Sequence, residues 1–216
     1  MINWHKALRL YFIAGTQDLV HPESLEDVLE EAIACGITCF QYREKGQGSL
    51  QNYEDRFAMA KRLQALCKNA DIPFIINDDV DLAIAIGADA IHVGQSDKPI
   101  VETIELAKQH SMDVGLSTNT IEQLGAASAI EGLDYVGVGP IFPTTSKSDA
   151  EPSIGIDGLK HFIETYPTLP KVAIGGINIT NARHVLHAHV EGIAVISAIT
   201  ASKDRSRDLS ILLVNE

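Results

Sequence analysis

Residues 73–97 read PFIINDDVDLAIAIGADAIHVGQSD, and the fold is decided in this stretch. The run Pro73–Asn77 is short and apolar, as a strand buried on both faces must be. A helical pattern, Val80–Ile86, follows and stops at Gly87, the residue type that ends helices in a left-handed turn. The run Ala90–Val93 then repeats the first. Two apolar runs bridged by a helix make a parallel βαβ crossover.

The same alternation extends both ways. Toward the N-terminus lie strands Leu8–Ala14 and Thr38–Arg43, with helices Ser24–Cys35 and Tyr53–Asn69. Ser24 suits an N-cap and Gly36 a helix stop. Toward the C-terminus come helix Ile100–Gln109, strand Val114–Ser117, helix Ile121–Ile130 and strand Tyr135–Val138. A long polar loop, Gly139–Ser153, leads to helix Gly158–Thr165, strand Lys171–Ile174, helix Asn181–His189, strand Ile193–Ser197 and a closing helix Arg207–Val214. Eight evenly spaced β/α units favour a closed barrel over a doubly wound sheet. The expected fold is α/β, a single (β/α)8 TIM barrel domain over residues 1–216, with no linker and no self-similar repeat.

Seventeen basic and 29 acidic residues give a net charge of −12. That argues against a nucleic-acid binder, which needs a basic face, and against docking on anionic lipid. It leaves phosphorylated small molecules open, because a few local cations and exposed backbone N–H groups can hold them. No run approaches the length of a membrane span and the N-terminus lacks an apolar signal core, so the cytoplasm is the expected location. Cys35, Cys39 and Cys67 are odd in number and lack Cys-x-x-Cys spacing, which suits free buried thiols in a reducing compartment. Oligomeric state, a homo-oligomer included, is not legible.

In such barrels chemistry sits on the loops that follow the strands. After the second strand comes Gln41-Tyr-Arg-Glu-Lys45; in extended chain residues 41, 43 and 45 share a side, so an amide and two cations would face the mouth together. That set suits a diphosphate, and equally a charged strand end at the surface. Asn77-Asp-Asp79 follows the third strand and Gly94-Gln-Ser-Asp97 the fourth. Carboxylates on adjacent strand ends can approach one another, and Mg²⁺ prefers one or two carboxylates plus phosphate oxygens and water. Asp78 and Asp97 form the natural pair; capping and turn formation would explain them as well. Asp79 reads as the N-cap of the next helix. His92 reads as a packed, hydrogen-bonded strand residue, and His184 with His187 lacks a third metal ligand. Ser117–Thr120 offers hydroxyls to a cap or a ligand. Gly139-Pro-Ile-Phe-Pro-Thr-Thr-Ser-Lys147 has the length of a substrate loop and the hydroxyls and Lys of an anion trap, or is simply a flexible connection. Gly175-Gly-Ile177 and Ile196-Ser-Ala198 follow strands seven and eight, where barrels of this type recurrently seat phosphate.

Taken in order, these segments resemble the thiamine phosphate synthase family. The motifs are the stretches at 41–45, 77–79, 92–97, 115–117, 139–147, 175–177 and 196–197, and the similarity runs from Leu10 to Ala198. The family joins a pyrimidine diphosphate to a thiazole phosphate, giving thiamine phosphate and diphosphate by a dissociative route. The resemblance implies that Gln41, Arg43, Lys45 and Asn77 contact the pyrimidine diphosphate, with Ser117 and Lys147 on the diphosphate side. Asp78 and Asp97 would hold Mg²⁺. Thr144 and Ser146 would contact the thiazole phosphate, with Gly176, Ile196 and Ser197 cradling it. The family often has Thr where this chain has Ser146, and the hydroxyl is kept. A related thiazole tautomerase barrel would not need Asn77, Asp78 and Asp97. A non-catalytic phosphate-ligand-binding barrel would not need three cations and two carboxylates.

Overall fold

The computed structural model describes residues 2–144 and 152–213. Eight strands close on themselves in sequence order, each parallel to its neighbours, with β1 completing the ring against β8. They are β1 Leu10–Ala14, β2 Cys39–Tyr42, β3 Phe74–Asn77, β4 Ala90–Val93, β5 Asp113–Thr118, β6 Tyr135–Val138, β7 Lys171–Ile174 and β8 Gly192–Val195. The helices are α1 Trp4–Ala7, α2 Leu25–Ala34, α3 Tyr53–Asn69, α4 Val80–Ile86, α5 Ile100–Gln109, α6 Ile121–Ser128, α7 Gly155–Thr165, α8 Ala182–Leu186, α9 Ser197–Thr200 and α10 Arg205–Leu213. The (β/α)8 barrel expected from the sequence is the fold observed.

Strand alternation sorts the side chains into two populations. Leu10, Phe12 and Ala14 of β1 pack outward against the helices, whereas Tyr11 and Ile13 fill the barrel with Cys39, Ile75, Ala90, Tyr135, Val172 and Ala194. Because the side-chain period is two, the inward set continues up each strand to the residues at its C-terminal end. Gln41, Asn77, His92 and Ser117 stand on that inward register, and the pairing Asn77↔His92 levels β3 with β4.

Local signals act as their chemistry requires. The Ser24 hydroxyl accepts from Asp27 N–H at the start of α2. Asp79 accepts from Leu82 N–H and caps α4, which Gly87 ends in the left-handed region at φ 66°.

Many element boundaries shift by one to three residues from expectation, α7 for example starting at Gly155 rather than Gly158, and three of the shifts have a visible cause or consequence. Leu8 and Arg9 are not strand, because α1 precedes them and folds across the N-terminal end of the barrel, burying Trp4 and Ala7. Trp4 Nε1 donates to Asp113 Oδ2 at 2.9 Å and its ring stacks on Tyr135 at 4.3 Å. Ser197 leaves β8 and opens the single turn α9. α8 stops at Leu186 rather than running on to His189, which sits in the left-handed region at φ 63°. Among the described residues, no helix is long and apolar enough to cross a membrane.

Candidate active site at the strand C-terminal ends

A cavity of about 270 Å³ opens where the strands end. Arg43, Lys45, Asn77, Asp78, Asp97, Ser117, Thr144, Gly176, Ile196 and Ser197 all line it. Gln41 does not. It lines a smaller recess directly beneath, together with Tyr11 and His92 and the shared residues Arg43, Asn77 and Ser117. Ser146 and Lys147 lie outside the described residues.

The loop after β2 holds its two cations over the mouth because Glu44 points the other way. The Glu44 carboxylate accepts from Thr16 N–H at 2.8 Å, Thr16 Oγ1 at 2.9 Å and Leu50 N–H at 2.8 Å, which fixes the loop to its neighbour. Arg43 is then only 6% exposed, while Lys45 reaches across toward β3 and β4.

Lys45 Nζ lies 2.7 Å from Asp78 Oδ2 and 3.6 Å from Asp97 Oδ1. Two carboxylates from adjacent strand ends therefore share one ammonium. Asp78 occupies the left-handed region at φ 61°, which a short polar side chain tolerates better than most. Its N–H donates to His92 C=O at 2.9 Å, tying the turn to β4. Asp97 accepts from Gly94 N–H at 2.9 Å and closes its own turn.

The electrostatics are those of a crowded carboxylate pair. Burial pushes Asp78 up against the pull of Lys45, and the nearby Asp97 raises it further. Asp97 loses some solvation too, but hydrogen bonds from Asp78 and Gly94 N–H, with Lys45 beside it, hold it below the usual carboxylate range. Lys45 is desolvated, yet its bond to Asp78 and the second carboxylate leave its affinity for a proton above normal.

Among the described residues, no group of three or more His, Cys, Asp and Glu side chains is placed to hold a metal. The donor set at the mouth is two carboxylates that already gather a cation. This fits Mg²⁺, which takes few protein ligands and completes its shell with water and substrate oxygens. It does not fit a structural zinc site, which needs four.

The opposite wall includes the backbone of Gly175 and Gly176. Gly176 sits at φ 65°, and a Cβ there would stand 2.6 Å from Pro143 C=O and 2.8 Å from Phe142 Cβ. Only glycine lets this loop lie so close to the loop after β6. Asn181 Nδ2 donates to Gly176 C=O at 2.9 Å, which turns the carbonyl toward α8.

Beneath the mouth, a polar line crosses the barrel. Gln41 Nε2 donates to the Tyr11 hydroxyl at 2.7 Å, and the Tyr11 and Tyr135 hydroxyls are 2.9 Å apart. Tyr135 Oη is 3.1 Å from His92 Nδ1, and His92 Nε2 is 3.0 Å from Ser117 Oγ. His92 is hydrogen-bonded and packed, as its strand position suggested.

The sequence reading missed Tyr11 and Tyr135, which look like ordinary aromatic core. Their signal was the inward register, which leaves a phenol tip needing a partner. It also missed Asn119, whose Nδ2 donates to Gly139 C=O at 2.5 Å while the residue lines the cavity. Thr120 takes the capping role in that loop, accepting from Gln123 N–H. Cys39 and Cys67 are buried free thiols and Cys35 is half-buried; burial pushes Cys67 to about 12, so it stays protonated and inert.

Fold and mouth together define a class: a (β/α)8 barrel with cations, paired carboxylates and a glycine wall at the ends of its strands. A family model described as thiamine monophosphate synthase matches residues 10–199. The chain is 53% identical over 197 residues to a thiamine-phosphate synthase of Listeria monocytogenes, covering 91% of each. It is 44% identical over 216 residues to one from Pasteurella multocida, covering 98% of this chain and 97% of that one. The solved structure of a thiamine phosphate pyrophosphorylase from Pyrococcus furiosus superposes with a TM-score of 0.84 at 34% identity, covering 97% of this chain and 96% of the other. The chain belongs to the thiamine monophosphate synthase family, a family of transferase enzymes.

Proposed function

We propose that this chain couples 4-amino-2-methyl-5-hydroxymethylpyrimidine diphosphate to 4-methyl-5-(2-phosphoethyl)thiazole, releasing diphosphate and forming thiamine phosphate. The observation that carries this reading is the Lys45 ammonium shared by Asp78 and Asp97, beside Arg43 and Asn77, in a cavity whose far wall is Gly176 and Ser197. One side concentrates cationic charge for a diphosphate. The other offers backbone N–H groups where barrels of this architecture commonly seat a monophosphate.

In this reading the bond between the pyrimidine methylene carbon and the diphosphate oxygen breaks first, and the electron pair leaves with the oxygen. Arg43 and Lys45 hold the departing charge, Arg43 through its planar fork and Lys45 as a mobile point charge. Ser117 donates to the same group. Asn77, and Gln41 from the recess below, orient the pyrimidine. Thr144, Gly176, Ile196 and Ser197 keep the thiazole phosphate on the opposite wall. The thiazole nitrogen then gives its lone pair to the methylene carbon. Both reactants wait in one pocket, which supplies the entropic share of the rate. No side chain need act as a nucleophile. Asp78 and Asp97 would hold Mg²⁺, which neutralises charge on the leaving diphosphate when bound. Ser146 and Lys147 enter by sequence alone, as thiazole-phosphate and diphosphate contacts.

The test is incubation with both substrates, with and without Mg²⁺, while diphosphate and thiamine phosphate are quantified. Equimolar products that vanish with chelator are expected. Absence of diphosphate release in the presence of Mg²⁺ refutes the reading.

A further inference from the structure

The line from Gln41 to Ser117 has a direction. The Gln41 amide nitrogen can only give a hydrogen, so the Tyr11 oxygen receives it. The Tyr11 hydroxyl also meets that of Tyr135, and the Tyr11 hydrogen therefore goes there. The Tyr135 hydrogen cannot return along the same contact and passes to His92 Nδ1, which must present its lone pair. The neutral ring then carries its hydrogen on Nε2 and gives it to Ser117 Oγ. With its oxygen so engaged, Ser117 turns its own hydrogen into the cavity it lines.

Two further features hold this line in place. Tyr11 and Tyr135 are wholly buried, so water cannot supply a substitute partner for either hydroxyl. Gly115 on β5 leaves the space between Tyr135 and His92 open: a Cβ there would stand 2.3 Å from Tyr135 Cζ and 2.5 Å from His92 Nδ1. Trp4 then backs the Tyr135 ring from below.

We infer that Tyr135 and His92 are positioning residues for the transfer reaction. They fix the histidine tautomer and thereby present Ser117 O–H as a donor to the diphosphate. Both ring nitrogens of His92 are engaged, so it acts through Ser117 rather than on the substrate. This rests on the reading that Ser117 meets the diphosphate.

The experiment labels histidine with ¹⁵N in the full chain and records long-range ¹H–¹⁵N correlations, with His92 assigned by the signal lost in His92→Gln. The expected His92 pattern is Nε2–H with a bare Nδ1. Tyr135→Phe, which keeps the ring and removes the hydroxyl, should shift the ring toward Nδ1–H. It should lower kcat about tenfold with KM changed less than about twofold, as expected for a contact that strengthens as charge leaves. In a Ser117→Ala background the same change should cost nothing further, since its effect runs through that hydroxyl. An Nδ1–H ring in the unmodified protein overturns the inference, as does a Tyr135→Phe loss that multiplies the Ser117→Ala loss. Should Tyr135→Phe not fold, the tautomer of the unmodified protein decides alone. An Nδ1–H ring in a protein that turns over defeats this inference and leaves the synthase reading standing. An Nε2–H ring without turnover defeats the synthase reading, and with it the role given to Ser117.

Discussion

The Lys45 ammonium stands 2.7 Å from the Asp78 carboxylate, one of the two carboxylates proposed to hold Mg²⁺. If Asp78 and Asp97 hold Mg²⁺ as proposed, lysine and metal would compete for the same carboxylates, and the ammonium would have to give way when the metal binds. Lys45→Met should raise the affinity of the ligand-free protein for Mg²⁺ about tenfold, since about 1.4 kcal/mol of like-charge repulsion is removed. The same variant should lose about a hundredfold or more in kcat. Calorimetric titration with Mg²⁺ alone checks the first half; unchanged or weaker binding would show that Lys45 does not guard the site.

Asp97 has two tasks that one substitution can separate. Its Oδ2 closes the turn through Gly94 N–H, and its charge meets Lys45. In Asp97→Asn an amide oxygen can keep the turn while the charge is lost. The melting temperature should stay within about 2 °C, since little stability is at stake. Turnover should fall about a hundredfold, with the Mg²⁺ requirement moved to higher concentration. Kinetics across a Mg²⁺ series test this, and an unaltered Mg²⁺ profile would remove Asp97 from the metal.

Gly176→Ala would drive a methyl into Pro143 C=O and Phe142, and force an alanine to φ 65°. The strain should cost about 1–3 kcal/mol in urea unfolding. It should raise KM for the thiazole phosphate about tenfold, with KM for the pyrimidine diphosphate changed little. Equal effects on both substrates would contradict the division of the cavity into two walls.

Lys147→Ala should lower kcat about a hundredfold more than it weakens substrate binding, the pattern for a contact that tightens as the diphosphate departs. A rise in KM with kcat intact would assign Lys147 to ordinary substrate binding.

Arg205 offers a control outside the cavity lining. Its guanidinium, only 5% exposed, meets Glu31 at 2.6 Å, Glu23 at 2.5 Å and Ile199 C=O through Nε at 3.1 Å. It straps α10 and α9 to α2. Arg205→Ala should cost about 2 kcal/mol of stability, discounted because both carboxylates are partly solvated. It should leave kcat unchanged at temperatures well below the melt. A chemical-denaturation curve paired with a rate assay checks both halves.

The barrel was legible because its strands are apolar on both faces and its helices announce their ends, as at Ser24, Asp79 and Gly87. The mouth was legible because charge at a strand end is costly unless it has a task, and Arg43, Lys45, Asp78 and Asp97 all fall there. What escaped was the barrel's underside. α1 has four residues and no capping side chain, so nothing in Asn3-Trp-His-Lys-Ala7 declares a helix until Trp4 finds Tyr135 to cover. Gln41 was expected at the rim with Arg43 and Lys45; the register carries it one layer deeper, where Tyr11 takes its amide. Tyr11 and Tyr135 are separated by 124 residues, and no local pattern reveals that their hydroxyls meet.

Trp4 is the sole tryptophan of the chain, and it lies flat against Tyr135 at the closed end, opposite the opening through which ligands enter. The molecule thus carries an intrinsic optical gauge. Light absorbed by the phenols passes readily to the single indole stacked beneath them, and the emission colour reports whether that lower seal is dry.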